Sequence, residues 1–113
     1  SSFSDERLKE NIKPICSSLD TITKLQGTTF NWNEKSNRVG EFNAGLIAQN
    51  VEEVIPHLVS EHSILGSDNK NYKSVKYQEM IPYLVEAIKE QQTEIQELKK
   101  QVKKLNRKSK RIR

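Results

Sequence analysis

Ser4 and Lys9 stand five residues apart near the start of this 113-residue chain, inside Ser4-Asp5-Glu6-Arg7-Leu8-Lys9-Glu10-Asn11-Ile12. A hydroxyl beside an amine is a minimal kit for cutting a peptide bond. The hydroxyl is the nucleophile, and a neutral amine takes its proton. Lysine ordinarily titrates near about 10.4, so a lysine base needs desolvation or a nearby cation. Arg7 or a neighbouring chain can supply one. Spacing limits how the two residues meet. On a continuous α-helix five residues turn through about 500°, which leaves about 140° between them. Ser4 therefore lies on an extended or turned segment that folds back, or it meets Lys9 of another chain. A serine here can equally cap a helix, so the pair alone does not define an active site.

The elements that must position this pair are short until the last one. Ile12, Ile15, Leu19, Ile22 and Leu25 form one stripe, which predicts a helix over roughly residues 15–25, with Pro14 near its first turn and Gly27 after its end. Residues 28–33 alternate, with Phe30 and Trp32 on one face, and read as a strand. A polar turn with Gly40 leads to a second strand over 42–47, its hairpin partner. Residues 48–55 are helical in pattern, with Val51, Val54 and Ile55 apolar, and Pro56 ends the helix. Residues 58–61 and 73–77 read as a second hairpin. Its loop includes Gly66-Ser67-Asp68-Asn69, and its polar alternation predicts a protruding arm. The fold class is α+β.

From about residue 78 a heptad takes over. Ile81, Ile88, Ile95 and Val102 fall at a; Leu84, Gln91, Leu98 and Leu105 fall at d. Val85 at e and Ala87 at g widen the first apolar face, so that portion should also pack on the globular part. Beyond about residue 92 too little chain remains to cover the stripe, which predicts a coiled coil with other chains. Glu94 at g and Lys99 at the next e are placed for an interchain ion pair in a parallel coil. β-branched a with leucine d leans toward two strands.

The hydrophobic fraction, 34%, is small beside 30% charged residues. A small domain buries little of its surface, which again favours self-association. The net charge of +4 belongs to the tail. Lys103, Lys104, Arg107, Lys108, Lys110, Arg111 and Arg113 have no acid among them, so the rest of the chain is net acidic. Such a tail can bind nucleic acid, but a solvated helix end whose cations suit the helix dipole is the plainer account. No apolar run reaches membrane-spanning length, and the start lacks a signal-peptide pattern. Cys16, the single cysteine, excludes an internal disulfide and reads as a small core residue. His57 and His62 lack further ligands at metal spacing and read as solvated loop histidines. Phe30 and Trp32 read as core, not as a base-stacking platform. No glycine-rich phosphate loop is present, and no metal or cofactor is expected.

The opening motif resembles the start of the intramolecular chaperone domains at the C-termini of phage tailspikes and tail fibres, also called S74 peptidases. Endosialidase tailspikes carry such a domain, and the myelin regulatory factor has a related one. Further blocks agree in order and spacing: Phe30-Asn31-Trp32; Gly45-Leu46-Ile47-Ala48-Gln49-Asn50-Val51-Glu52-Glu53-Val54-Ile55-Pro56; Lys73-Ser74-Val75-Lys76-Tyr77; and Ile81-Pro82-Tyr83-Leu84-Val85-Glu86-Ala87-Ile88. The likeness covers residues 4–92. Asn50 stands where the family often has glutamate, and the basic tail lies outside the match.

The resemblance implies a homotrimer, which outweighs the two-strand lean. Residues 1–4 read as the stub of an upstream fibre, 5–77 as the chaperone body with its arm at 58–77, 78–107 as the coiled-coil helix and 108–113 as the basic tail. The resemblance also implies a role: holding three chains in register while the upstream fibre of the same polypeptide folds, then release by autoproteolysis. Ser4 would be the nucleophile, Lys9 the general base and Ser4–Asp5 the bond cut. Attack by Ser4 on its own carbonyl closes a four-membered ring, whereas attack on the Phe3 carbonyl closes a five-membered one. Cutting at Ser4–Asp5 therefore takes an unusual mechanism or a serine acting across chains. Such a protein is made in the host cytoplasm during virion assembly, without membrane or nucleic-acid partners. The alternatives are a trimeric fibre tip that never cleaves, and a basic coiled coil that binds nucleic acid.

Overall fold

The computed structural model describes residues 2–63, 68 and 70–112. Ser17 takes left-handed backbone, with φ of 55°. This breaks the apolar stripe and confines the first helix, α1, to Ser18–Ile22, shorter at both ends than the stripe predicts. At its C-terminal end Lys24 N and Leu25 N donate to the Thr21 and Ile22 carbonyls at 3.2 and 3.0 Å, a tightened spacing that closes the helix. The same kink turns Cys16 outward, so it is exposed and not part of the core. Ser18 takes the buried place instead, its hydroxyl unpartnered among the described residues.

Strand β1 (Thr28–Asn31) pairs antiparallel with β2 (Phe42–Gly45), Phe30 opposite Asn43. Gly40 closes the loop at φ 84°, a conformation natural to glycine. Its N–H donates to the Trp32 carbonyl at 3.0 Å. Phe30 and Trp32 do share a face and meet edge to face at 5.3 Å. They are only half-buried and stand outside the central core, with the Arg38 guanidinium over Trp32. A two-stranded hairpin offers no second layer to bury that face.

Helix α2 (Ala48–Val54) gives way to a 3₁₀ turn at Pro56–Leu58. Strand β3 (Val59–Ser63) then pairs antiparallel with β4 (Asn71–Val75). Both strands sit nearer the hairpin tip than their sequence pattern places them, because Leu58 turns into the core and is fully buried. Of the tip residues, Gly66, Ser67 and Asn69 lie outside the described residues. Midway along the hairpin, Lys73 of β4 donates to Glu52 of α2 and lies 3.9 Å from Glu61 of β3. The Glu52 hydrogen bond, reinforced by both carboxylate charges, raises the Lys73 amine above the ordinary lysine range. The tether is therefore fully present below the ordinary lysine value and lost as pH rises through the raised one.

Val51, Ile55, Leu58 and Met80 form the core, with Ile22, Leu25, Leu46, Val54, Val59, Val75 and Tyr83 packed around them. Asn50 ties α2 to the segment after α1. Its Oδ1 accepts from Gln26 N at 3.1 Å and its Nδ2 donates to the Lys24 carbonyl at 3.4 Å. A glutamate could accept the first bond but not donate the second.

Tyr77 packs its hydroxyl over Gly45, where it accepts from Leu46 N at 2.9 Å. A Cβ on Gly45 would come within 2.8 Å of that oxygen. Gly45→Ala is expected to cost about 1–3 kcal/mol through overpacking. This should appear as a lower urea midpoint with an unchanged slope. Adding Tyr77→Phe should recover part of the loss by removing the clashing atom.

Helix α3 (Met80–Ile112) runs 33 residues without a break, past residue 107 into the basic tail, about 50 Å at 1.5 Å per residue. Pro82 sits in its first turn, where the missing N–H is least costly. The helix carries two stripes. Met80, Tyr83, Ala87 and Glu90 face the body, Met80 and Ala87 buried and the other two half-buried. Glu90 Oε2 accepts from Leu19 N at 2.8 Å, capping α1, which lacks a side-chain cap of its own. Ala87 packs as its position predicts. Val85 does not and is half exposed, because two residues from Tyr83 turn it about 200° away from the body. From residue 91 to 111 every side chain is exposed. The radius of gyration, 21.3 Å, compares with about 13 Å for a compact chain of this length. The projecting helix accounts for the difference.

Candidate functional site

Asp5 starts the local structure that brings Ser4 and Lys9 together. Its backbone is extended, and its Oδ1 accepts from Arg7 N at 2.8 Å, capping a single 3₁₀ turn over Glu6–Leu8. Leu8 N and Lys9 N donate to the carbonyls of Asp5 and Glu6, each at 3.0 Å. Lys9 then leaves in extended backbone, φ −124° and ψ 152°. One tight turn between two extended residues reverses the side-chain directions that an α-helix would impose. Lys9 Nζ donates to Ser4 Oγ at 2.8 Å within one chain. Of the two routes the spacing allows, a segment that folds back and a meeting across chains, this chain takes the first.

Arg7 forks onto Asp5, Nε to Oδ1 at 3.1 Å and Nη2 to Oδ2 at 2.9 Å. Its guanidinium is thereby paired with Asp5. Hydrogen bonds from the Arg7 side chain, then from its backbone N–H, hold the Asp5 carboxyl below the ordinary carboxylate range. A depressed carboxyl stabilises the turn above its unfolded value, about 3.9, and that contribution is lost as pH falls through the lower folded value. The Arg7 amide resonance is therefore expected to hold its position above pH 4 and move only below it. Movement centred above pH 4 would contradict the clamp.

Residues 2–14 are all exposed, among them Phe3, Leu8 and Ile12. The predicted seam is exposed too. Ile81, Leu84, Ile88, Gln91, Ile95, Leu98, Val102 and Leu105 lie along one side of α3, with Ile88 64% and Leu105 65% exposed. Neither histidine is in a loop. His57 sits in the Pro56–Leu58 turn with Nε2 2.7 Å from Tyr83 Oη, and His62 is in β3. Among the described residues no three His, Cys, Asp or Glu side chains gather as a metal site, and no helix is long and apolar enough to cross a membrane.

Sequence reading missed the Asp5–Arg7 clamp and the body-facing stripe ending at Glu90. An aspartate whose oxygens reach the backbone two residues on is a readable capping signal. So is a second stripe spaced three and four residues apart along a helix.

A capped turn joins a serine to a lysine, ahead of an α+β body of two hairpins and a long projecting helix. Residues 4–60, just over half of the chain, match the family described as Chaperone of endosialidase, the S74 peptidases, and the chain belongs to it. It is 37% identical over 106 residues to the long tail fiber protein Gp37 of Salmonella phage S16, covering 90% of this chain and 14% of that protein. It is 38% identical over 101 residues to the Gp37 proteins of Enterobacteria phages K3 and T2, covering 84% of this chain and 8% and 7% of theirs. The chain thus spans only a small part of the length of these phage fibre proteins.

Proposed function

We propose that this domain trimerises through α3, guides the folding of an upstream viral fibre or spike segment of its own polypeptide, and is then released by self-cleavage. The observation that carries the reading is the 2.8 Å contact between Lys9 Nζ and Ser4 Oγ in a motif of this family. With the amine neutral the contact reverses. Ser4 donates its proton to Lys9, and the oxygen attacks a carbonyl. The nitrogen of the broken peptide bond leaves with the proton from Lys9. Water then hydrolyses the ester and restores the hydroxyl.

Within one chain Ser4 Oγ reaches the Phe3 carbonyl through a five-membered ring. Cutting Ser4–Asp5, the bond the family likeness points to, takes the Ser4 hydroxyl of a neighbouring chain. A parallel three-stranded coil over residues 78–105 buries the exposed seam and places Glu94 against Lys99 of the next chain. The β3–β4 arm, pinned to α2 midway along its strands by Lys73, contacts the upstream segment. The test is expression with the native upstream segment, followed by gel and mass analysis. Fragment masses locate the bond at Ser4–Asp5 or Phe3–Ser4. An intact product that stays trimeric would instead mark a fibre tip that never cleaves.

A further inference from the structure

The geometry points to Asp5 and Arg7 as positioning residues that hold Lys9 against Ser4, a role that rests on the self-cleavage reading. The reacting pair stands on a single 3₁₀ turn, and one isolated turn is not stable by itself. Residues 2–14 are exposed throughout, so the body does not bury the turn. What shapes it is local. One carboxylate accepts Arg7 N, Nε and Nη2 at 2.8, 3.1 and 2.9 Å, so backbone and side chain of the same residue are held from one point. A forked arginine–carboxylate pair fixes direction as well as distance, and lysine cannot reproduce the fork. The remaining ionisable side chains of residues 2–14 are Glu6, Lys9, Glu10 and Lys13. Among the described residues neither glutamate pairs with Lys9.

The test uses the full chain with its upstream segment. Asp5→Asn keeps an acceptor for Arg7 N but loses the charged fork, and should slow cleavage about 10-fold. Asp5→Ala removes both and should slow it about 100-fold, the scale of a misplaced catalytic group. Arg7→Lys and Arg7→Gln should slow it alike, because the fork and not the charge is needed. Both should lower the plateau of the pH–rate curve and leave its midpoint in place. Arg7→Lys cutting at the wild-type rate, or Arg7→Gln moving the midpoint upward, would overturn positioning in favour of a simple charge effect. Sedimentation of each variant separates slow cleavage from lost assembly. An NMR contact between the Ser4 and Lys9 side chains, present in the wild type and lost in Asp5→Ala, supports the role without reference to cleavage. Its persistence in Asp5→Ala overturns the role. An uncut wild type would count against the self-cleavage reading, while the NMR contact still decides the clamp.

Discussion

Alanine in place of Ser4 is expected to abolish self-cleavage, a loss of about 10⁴-fold or more, because the chain then has no nucleophile at the turn. Lys9→Ala should cost about 10²–10⁴-fold by removing the proton acceptor. Lys9→Arg should cost as much, although it keeps the charge and most of the length, because a guanidinium stays protonated. All three variants should assemble normally, since both residues are exposed and stand outside the heptad. The 2.8 Å contact joins residues of one chain. A mixture of Ser4→Ala and Lys9→Ala chains should therefore remain uncut. Restored cleavage in the mixture would mean that the working lysine belongs to a neighbour. Gel densitometry with intact-mass measurement reads every arm of this comparison.

The second large effect is expected far from the turn. Ile95 is at an a position, beyond Glu90, the last residue of the body-facing stripe, and is 45% exposed on the single chain. Ile95→Asp should leave the body folded. In a trimer it would put three carboxylates into the seam and remove three apolar side chains worth about 1.5–3 kcal/mol each when buried. Unpaired charge in such a seam adds further cost. Sedimentation equilibrium should then give a monomer, against about three times 13.1 kDa for the wild-type domain. Cleavage at Ser4–Asp5, which takes the Ser4 hydroxyl of a neighbouring chain, should stop as well, although neither Ser4 nor Lys9 is altered. A variant that dissociates and still cuts would separate chemistry from assembly.

Where the apolar period ran unbroken, the pattern of residues sufficed. The heptad from Ile81 to Leu105 is one continuous helix, and both hairpins form, although β3 and β4 lie nearer their tip than alternation put them. The failures have local causes. Periodicity does not register a single left-handed residue, so Ser17 shortened α1 and moved Cys16 to the surface. Counting heptad positions assigned Val85 to the body. Tertiary packing selected Met80, Tyr83, Ala87 and Glu90, because the body needed a cap for α1 as well as apolar cover. At the candidate site the types and spacing of Ser4 and Lys9 were legible, and so was the need for a turn between them. The double use of Arg7, backbone N–H and guanidinium on one carboxylate, was not, because it depends on the turn it creates.

The central claim is that Ser4–Asp5 is cut across chains, so that assembly completes the cut. Its most direct measurement is a time course of the wild-type chain with its upstream segment, separated by size with mass determined across the peak. Cleaved chains should appear only in the trimer fraction, and the monomer fraction should stay intact at every time. Cleaved product accumulating in a demonstrated monomer, at a rate independent of protein concentration, would contradict the account.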